Sequence, residues 1–188
     1  MNPLRYVATC LVLLLFLNLA RQGYVPDVSF AGLPLMTMIG HTDILGDLHQ
    51  YHIFDSAGVA RSYVFINDSL HQYIKLTSFP GGSLESFDRI EVGYTKDLPS
   101  EGHINHHRFA VFTSESGVRL GMSRAELVKI KGSPPHITKT SSGELYTYKI
   151  TDIAKSPFLQ KYHMPEYTAA FSFTKDKLTD YDFGFPYP

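Results

Sequence analysis

The sequence predicts an α+β protein: a mostly antiparallel sheet with one short packed helix, at about residues 123–131, followed by three strands. Its 188 residues are 44% hydrophobic and 19% charged, which suits a domain with a sizeable core. The chain contains 12 Tyr and 13 Phe but no Trp. Tyr and Phe favour strands because their flat rings pack well across a pleated surface.

The charge composition argues against a nucleic-acid partner. The chain carries 17 basic and 18 acidic residues, a formal net charge of −1, and neither kind forms a long run. Nucleic-acid-binding domains usually concentrate lysine and arginine on one face. We therefore expect no nucleic acid among the partners.

The first 20 residues have the pattern of an export signal. Arg5 precedes an apolar run from Tyr6 to about Leu17 or Ala20. A run of about 15 residues fits a signal-peptide core and is shorter than the ~20 that span a bilayer. Cleavage after Ala20 is expected, with an uncleaved anchor as the alternative, because Asn18 is larger than signal peptidase prefers there. Either way, the body lies outside the cytoplasm, and only an uncleaved N-terminal segment would touch a membrane.

Cys10, the only cysteine, lies within this apolar run. A lipid-anchored cysteine follows such a run, so we expect no lipid at Cys10. The mature domain would then have no disulfide in an oxidising compartment, and packing alone would hold it together.

The rest of the chain divides into three parts. Residues 21–44 contain glycine, proline and scattered apolar residues, and predict a tether followed by irregular chain. An alternative for the end of this part is a second short helix near residues 34–46. Residues 45–108 predict a β-rich part, and residues 109–188 predict an α+β part. A further hypothesis makes the first half a diverged copy of the second.

Alternation of apolar and polar residues predicts the strands. In the first half they cover residues 48–55, 59–67, 71–79 and 87–95, and a polar loop at 96–108 leads to another strand at 108–114. In the second half, a strand at 141–151 and a hairpin at 167–185 are joined by a long connection.

The helix at residues 123–131 has a recognisable beginning and end. Ser123 and Glu126 form a capping-box pattern, and Gly132 with the two prolines that follow ends the helix. The predicted apolar stripe consists of Ala125, Leu127, Val128 and Ile130. These signals agree with one another and describe a folding element without a reactive group.

The strand that follows has two interpretations. Tyr146, Tyr148 and Ile150 share one of its faces. They either pack in the core against the helix, or present tyrosines on an open sheet face as a protein-binding surface. A sheet with one helix layer leaves its other face to be covered by the first half of the chain or by a partner.

Short motifs in the second half form a linked pattern. Leu-Gly-Met-Ser at 120–123 is followed by Glu126 on the helix, by Gly132 at its end, and by Gly143–Glu144 at the start of a strand. With the hairpin from Phe171 to Phe183, this pattern resembles the SmpA/OmlA family of small bacterial envelope proteins over about residues 109–185. Their fold is similar to that of the β-lactamase-inhibitor proteins.

The resemblance implies a non-enzymatic, exported protein used for protein contacts, as in assembly-complex subunits and enzyme inhibitors. This chain lacks the lipid-anchor cysteine of SmpA/OmlA proteins, so outer-membrane anchoring does not transfer. It also lacks the disulfides of the inhibitor proteins, so no inhibitory loop transfers. No functional residue is carried over.

A histidine-rich loop is the strongest candidate for chemistry. His103, His106 and His107 lie within five residues, beside Glu101. Imidazole suits Zn, Cu or Ni, and a turn can bring two of these nitrogens to one ion. The alternative is a solvated loop whose histidines titrate freely. His49 and His52, with i, i+3 spacing in a predicted strand, would point to opposite faces.

Three functional hypotheses follow. The leading one is an exported, periplasmic or envelope-associated, non-enzymatic module that binds another envelope or secreted protein, of an assembly, inhibitor or immunity type. The alternative is a periplasmic metal-binding protein using residues 101–107. An enzyme is disfavoured, because the chain has no G-x-S-x-G elbow and no mature cysteine, and no cofactor is expected.

Overall fold

A nine-stranded, mostly antiparallel sheet organises the computed structural model, which describes residues 24–37, 41–51, 53–55, 60–80, 86–98 and 104–186. Within these ranges, three short α-helices accompany it: α1 (His41–Leu45), α2 (Arg124–Lys131) and α3 (Pro157–Tyr162). The predicted α+β class is confirmed. Within the described ranges, no helix combines the length and the apolar character needed to span a membrane.

The strands follow a regular order across the sheet. In chain order they are β1 (Ser29–Phe30), β2 (Leu33–Pro34), β3 (Phe54–Asp55), β4 (Arg61–Asn67), β5 (Gln72–Ser78), β6 (Arg89–Tyr94), β7 (Ile104–His106), β8 (His136–Lys139), β9 (Glu144–Ile150), β10 (Tyr167–Thr174) and β11 (Lys177–Gly184). The large sheet has the order β3-β4-β5-β6-β11-β10-β9-β8, with β7 parallel to β4, whereas β1 and β2 form a separate hairpin.

The two halves of the chain meet edge to edge. In each half a helix precedes four strands of the large sheet, and the last of these, β6 and β11, pair antiparallel at the centre. The strand order is therefore mirrored about this central pair. In the described residues, the first half extends the sheet of the second through β6 and does not stack on it as a second layer.

The core lies on one face of the sheet. Buried side chains from alternate strand positions form it, among them Tyr63, Phe65, Ile74, Leu76, Ile90, Val92, Tyr146, Tyr148, Phe171, Tyr181 and Phe183. The helices add Leu45, Leu127 and Leu159 to the same cluster. The interpretation of Tyr146 and Tyr148 as core residues is confirmed, and these tyrosines do not form a binding surface.

Helix α2 has the predicted caps. The hydroxyl of Ser123 accepts from the amide of Glu126, and the Glu126 carboxylate accepts from the amide of Ser123 at 2.7 Å. Gly132 follows with a φ of 79°, and its carbonyl accepts from the hydroxyl of Tyr148 at 2.7 Å. The predicted stripe needs correction: Ala125 is exposed, and Lys131 is buried one turn after Leu127.

The segment predicted as a tether is packed in the structure from Tyr24 onward. Phe30, Leu33 and Leu35 are buried, and the ring of Tyr24 stacks on that of Tyr148 at 4.4 Å. Helix α1 (His41–Leu45) lies within residues 34–46, where a second short helix was the alternative. Residues 24–35 therefore belong to the core that both halves share.

Several local predictions are wrong. Residues 108–114 lack a strand, and instead Phe109 and Phe112 enter the core from irregular chain. Residues 104–106, predicted as loop, form β7. His49 lies in a 3-10 turn (Leu48–Gln50) and not in a strand, and its predicted counterpart His52 lies outside the described residues. Helix α3 and strand β8 were not predicted, so four strands follow α2.

Candidate binding face

Three rows of side chains cover the sheet face opposite the helices, which we call the open face. The strand register places at most one residue of each strand in each row. The middle row consists of Ile104, Val64, Lys75, Glu91, Asp182, Ala170, Thr147 and His136. The outer rows consist of Ser62, Thr77, Arg89, Gly184, Thr168 and Lys149, and of His106, Ile66, Tyr73, Gly93, Asp180, Ser172, Leu145 and Thr138.

Asp182 lies at the centre of the open face and is bonded to Arg89. One guanidinium nitrogen of Arg89 donates to the carboxylate of Asp182, and the other lies 3.3 Å from the hydroxyl of Thr168. Burial raises the pKa of Asp182 to about 6, helped by the charges of Glu91 and Asp180 and opposed by Arg89. This carboxyl group therefore changes its charge close to neutral pH.

Glu91 is directly opposite Asp182 on the neighbouring strand. Its carboxylate accepts a hydrogen bond of 2.6 Å from the hydroxyl of Tyr73 and lies 3.7 Å from the ammonium group of Lys75. The side chains of Glu91 and Lys75 are 41% and 35% exposed, so their charges face water. Burial, with the bond to Glu91, raises the pKa of Tyr73, which keeps its proton at neutral pH.

The ring of Tyr73 lies over Gly93. A Cβ atom at Gly93 would lie 2.6 Å from this ring, closer than carbon atoms pack. Glycine at this position therefore lets Tyr73 lie flat against the sheet and reach Glu91.

The two ends of the open face differ in character. At the first-half end, Ile104 is 41% exposed beside the half-buried Val64 and Ile66. On β10, beyond Asp180 and Asp182, the open-face side chains are small: Thr168, Ala170 and Ser172. An apolar end and a strip of small residues therefore flank the charged centre.

The structure separates the two predicted metal ligands that it describes. His106 belongs to the open face, is exposed, and its Nδ1 lies 3.0 Å from Oδ2 of Asp68. His107 points to the opposite side, where its ring contacts those of Phe65 and Phe109. Burial lowers the pKa of His107. His103 lies outside the described residues, as does Glu101.

Among the described residues, no group of three or more His, Cys, Asp or Glu side chains converges on a point where an ion could bind. Two surface pockets of about 410 Å³ share His107 and Arg108 in their linings. One also contains Ile44 and Val111, and the other contains the Asp68–His106 pair. Both histidines therefore line the second pocket, together with Asp68, but without a third converging ligand in the ranges that the structure describes they do not form a group that could hold an ion.

Sequence reasoning missed the open face. Its charged residues alternate with core residues along β6 and β11, a pattern that predicts only a solvated strand face. The pairing of Glu91 with Asp182 depends on β6 and β11 being neighbours. No local motif reveals this, because the two residues lie 91 positions apart in the sequence. The register alone brings the two carboxylates together.

The comparisons with known proteins leave the family open. No protein-family model matches this sequence, and the comparisons with curated proteins and with solved structures give no match either. The likeness to SmpA/OmlA proteins therefore stays a prediction.

Proposed function

We propose that the protein is an exported, non-enzymatic binding module of the bacterial cell envelope, which binds another envelope or secreted protein through the open face. The observation that carries the proposal is the arrangement of the sheet. The three described α-helices pack on one face, and the segments at residues 24–36 and 109–122 contribute to the same core. The opposite face presents chemically varied side chains over many strands.

The size of the open face suits a protein partner. Neighbouring strands lie about 4.8 Å apart, so the middle row of eight strands spans roughly 34 Å. The three rows span about 14 Å along the strands, which gives a footprint of about 500 Å². This size suits the smaller, transient protein–protein interfaces, which bury less than about 600 Å² on each partner.

The chemistry of the open face also suits a protein partner. Interfaces combine an apolar contact area with polar groups that select the partner and fix its position. The apolar end at Ile104 provides the first, and the charged centre around Arg89, Glu91 and Asp182 provides the second.

Export and the envelope location have their support in the sequence. The apolar run after Arg5 favours passage through a membrane, and an otherwise cysteine-free chain is compatible with an oxidising compartment. The SmpA/OmlA resemblance favours a role in assembly, inhibition or immunity. The membrane would be contacted only through an uncleaved N-terminal segment.

Site-specific photo-cross-linking in the producing cells tests the proposal. A photoreactive phenylalanine would replace Ile104 or Thr147 on the open face. In the matched controls it would replace Ala125 or Val111, which are exposed on the helix side. We expect one discrete protein adduct from the open-face positions and none from the controls. Adducts that form equally from both sides, or from the helix side alone, would contradict the proposal.

The metal-binding alternative has one supporting observation. The carboxylate of Asp68 lies against Nδ1 of His106, and none of the described residues bonds Nε2 of this ring. Histidine ligands commonly donate their other ring nitrogen to a carboxylate in this way. This alternative needs further ligands that are not supplied by His107.

A further inference from the structure

We infer that the partner of the open face places a basic side chain, lysine or arginine, over Ala170 and Ser172 with its charged end at Asp180 and Asp182. This inference rests on the proposed function and specifies the chemistry of its partner. Three features of the described open face support it: an unfavourable carboxylate pairing, an excess of negative charge, and a strip of small side chains beside the carboxylates.

The first feature is the pairing of like charges. Glu91 and Asp182 are directly opposite on β6 and β11, and Asp180 follows two residues along the same strand on the same face. Like charges at directly opposed positions destabilise a sheet. Their presence at its centre, where the halves join, is explained if a cation from a partner completes the group.

The second feature is an excess of negative charge. The three carboxylates of Glu91, Asp180 and Asp182 face two cations, Arg89 and Lys75. Arg89 is bonded to Asp182, and Lys75 lies near Glu91. In the described part of the chain, Asp180 is exposed and accepts from the hydroxyl of Thr179 at 3.3 Å, with no ion pair to a basic side chain.

The third feature is a strip of small side chains beside these carboxylates. Ala170 is directly opposite Asp182, and Ser172 is directly opposite Asp180. On the next strand, Leu145 and Thr147 continue the same two rows. Because the open-face side chains of β10 are short, we expect a shallow recess between β11 and β9, which lie two strand spacings, about 10 Å, apart.

A long basic side chain fits this recess. Lysine and arginine lay their methylene groups along apolar surface while the charged end stays polar. A stem lying on Ala170 and against Leu145 would bring its charged end to Asp180 and Asp182, between strands β10 and β11. The added positive charge would balance the excess carboxylate.

A metal ion fits these carboxylates less well. The open-face carboxylates, like the other acidic and histidine side chains of the described residues, do not converge in a group of three or more that could hold an ion. A basic side chain needs no such convergence, because its several donors can reach carboxylates on separate residues.

A pair of matched peptides tests the inference. The probes are acetyl-Ser-Val-Arg-Val-Ser-amide and the same peptide with citrulline, which has the shape of arginine without its charge. Each would be titrated into the isotope-labelled protein purified from producing cells, with amide shifts followed by NMR. Asp180→Asn tests the acceptor, and Asp43→Asn, exposed at α1 on the helix side, is the matched control.

We expect the arginine peptide to shift amides at residues 168–172 and 180–183 saturably, with a Kd of about 1 mM or tighter. Replacing the peptide's arginine with citrulline, or making the protein variant Asp180→Asn, should weaken binding about fivefold or more. The protein variant Asp43→Asn should leave the affinity unchanged. Equal binding of both peptides, shifts confined to other surfaces, or no saturable shift near 1 mM would overturn the inference. So would the same shifts produced by calcium chloride alone at equal ionic strength.

The two proposals fail in different ways. If the peptides show no preference for arginine while cross-links still form from Ile104 and Thr147, the inference fails and the proposed function stands. If the cross-links also lack a preference for the open face, the proposed function fails as well.

Discussion

The ammonium group of Lys131 lies 2.7 Å from the carboxylate of Asp27, and both side chains are almost completely buried. The same ammonium group donates to the carbonyl of Val25 at 2.9 Å, and the hydroxyl of Tyr167 donates to the carbonyl of Asp27 at 2.6 Å. Residues near the start of the described chain are thereby joined to the end of α2 and to the start of β10.

Replacing Lys131 with Met should destabilise the fold. The change leaves the carboxylate of Asp27 buried without its cation, a situation that costs about 3–5 kcal/mol in other proteins. Urea denaturation measures the loss in the free energy of unfolding. Lys155→Met removes a lysine that is 85% exposed in its pair with Asp152, and should cost less than about 1 kcal/mol.

Adding Asp27→Asn to Lys131→Met should recover part of the loss, because a neutral amide is less costly to bury than a carboxylate. Equal losses for Lys131→Met and Lys155→Met would show that the buried pair contributes no more than an exposed one.

Asp182 should make the fold less stable as the pH rises from about 4 to about 6. Its pKa is about 6 in the fold, against a usual value of 3.8. Between these values the folded protein keeps a proton that the unfolded chain has lost, so stabilisation present at lower pH disappears. A difference of about two pKa units corresponds to at most about 3 kcal/mol.

The variant Asp182→Asn should lack this part of the pH dependence. Urea denaturation at several pH values between 4 and 7 measures it as the difference in slope between variant and wild type. Asp43→Asn serves as the control and should follow the wild type. Parallel curves for wild type and Asp182→Asn would contradict the raised pKa.

A charge at the apolar end of the open face should weaken partner binding. Ile104→Glu places a carboxylate where Ile104 is 41% exposed, and burying this charge in an interface is unfavourable. We expect the yield of adduct from a photoreactive residue at Thr147 to fall about tenfold, equivalent to about 1.4 kcal/mol. Val111→Glu, at a position that is 58% exposed on the helix side, should leave the yield unchanged. A reduction of equal size in both variants would argue against an interface at Ile104.

Any zinc that the protein binds through residues 101–107 should depend on His106 and not on His107. His106 has a carboxylate at one ring nitrogen and no bond from the described residues at the other, whereas His107 is packed against Phe65 and Phe109 on the other side of the strand. Equilibrium dialysis with micromolar zinc would compare the wild type with His106→Ala and His107→Ala. Absence of zinc binding by the wild type would reject the metal hypothesis altogether.

The parts of the fold that the sequence predicted are those with local signals. Helix α2 carries its capping box within four residues, and β4, β5 and β6 carry regular alternation. Helix α3 had a local signal that was missed: Ser156 caps it and Pro157 occupies its first turn, an arrangement that is common at helix starts.

The parts that could not be predicted depend on distant contacts. Residues 109–112 alternate like a strand, yet Phe109 and Phe112 fill the core from irregular chain because Phe30 packs edge-on against Phe112. Strand β7 is three residues long and pairs in parallel with β4, so its polar sequence gave no local sign of it. The open face likewise exists only through the pairing of β6 with β11.

The central place of β11 has a consequence for how the sheet is held together. Among the described strands, β11 alone pairs with both β6 and β10, so the sheet is continuous across the two halves only when residues 177–184 are in place. Loss of the final dozen residues to a premature stop codon would leave two separate half-sheets with exposed edges prone to aggregation.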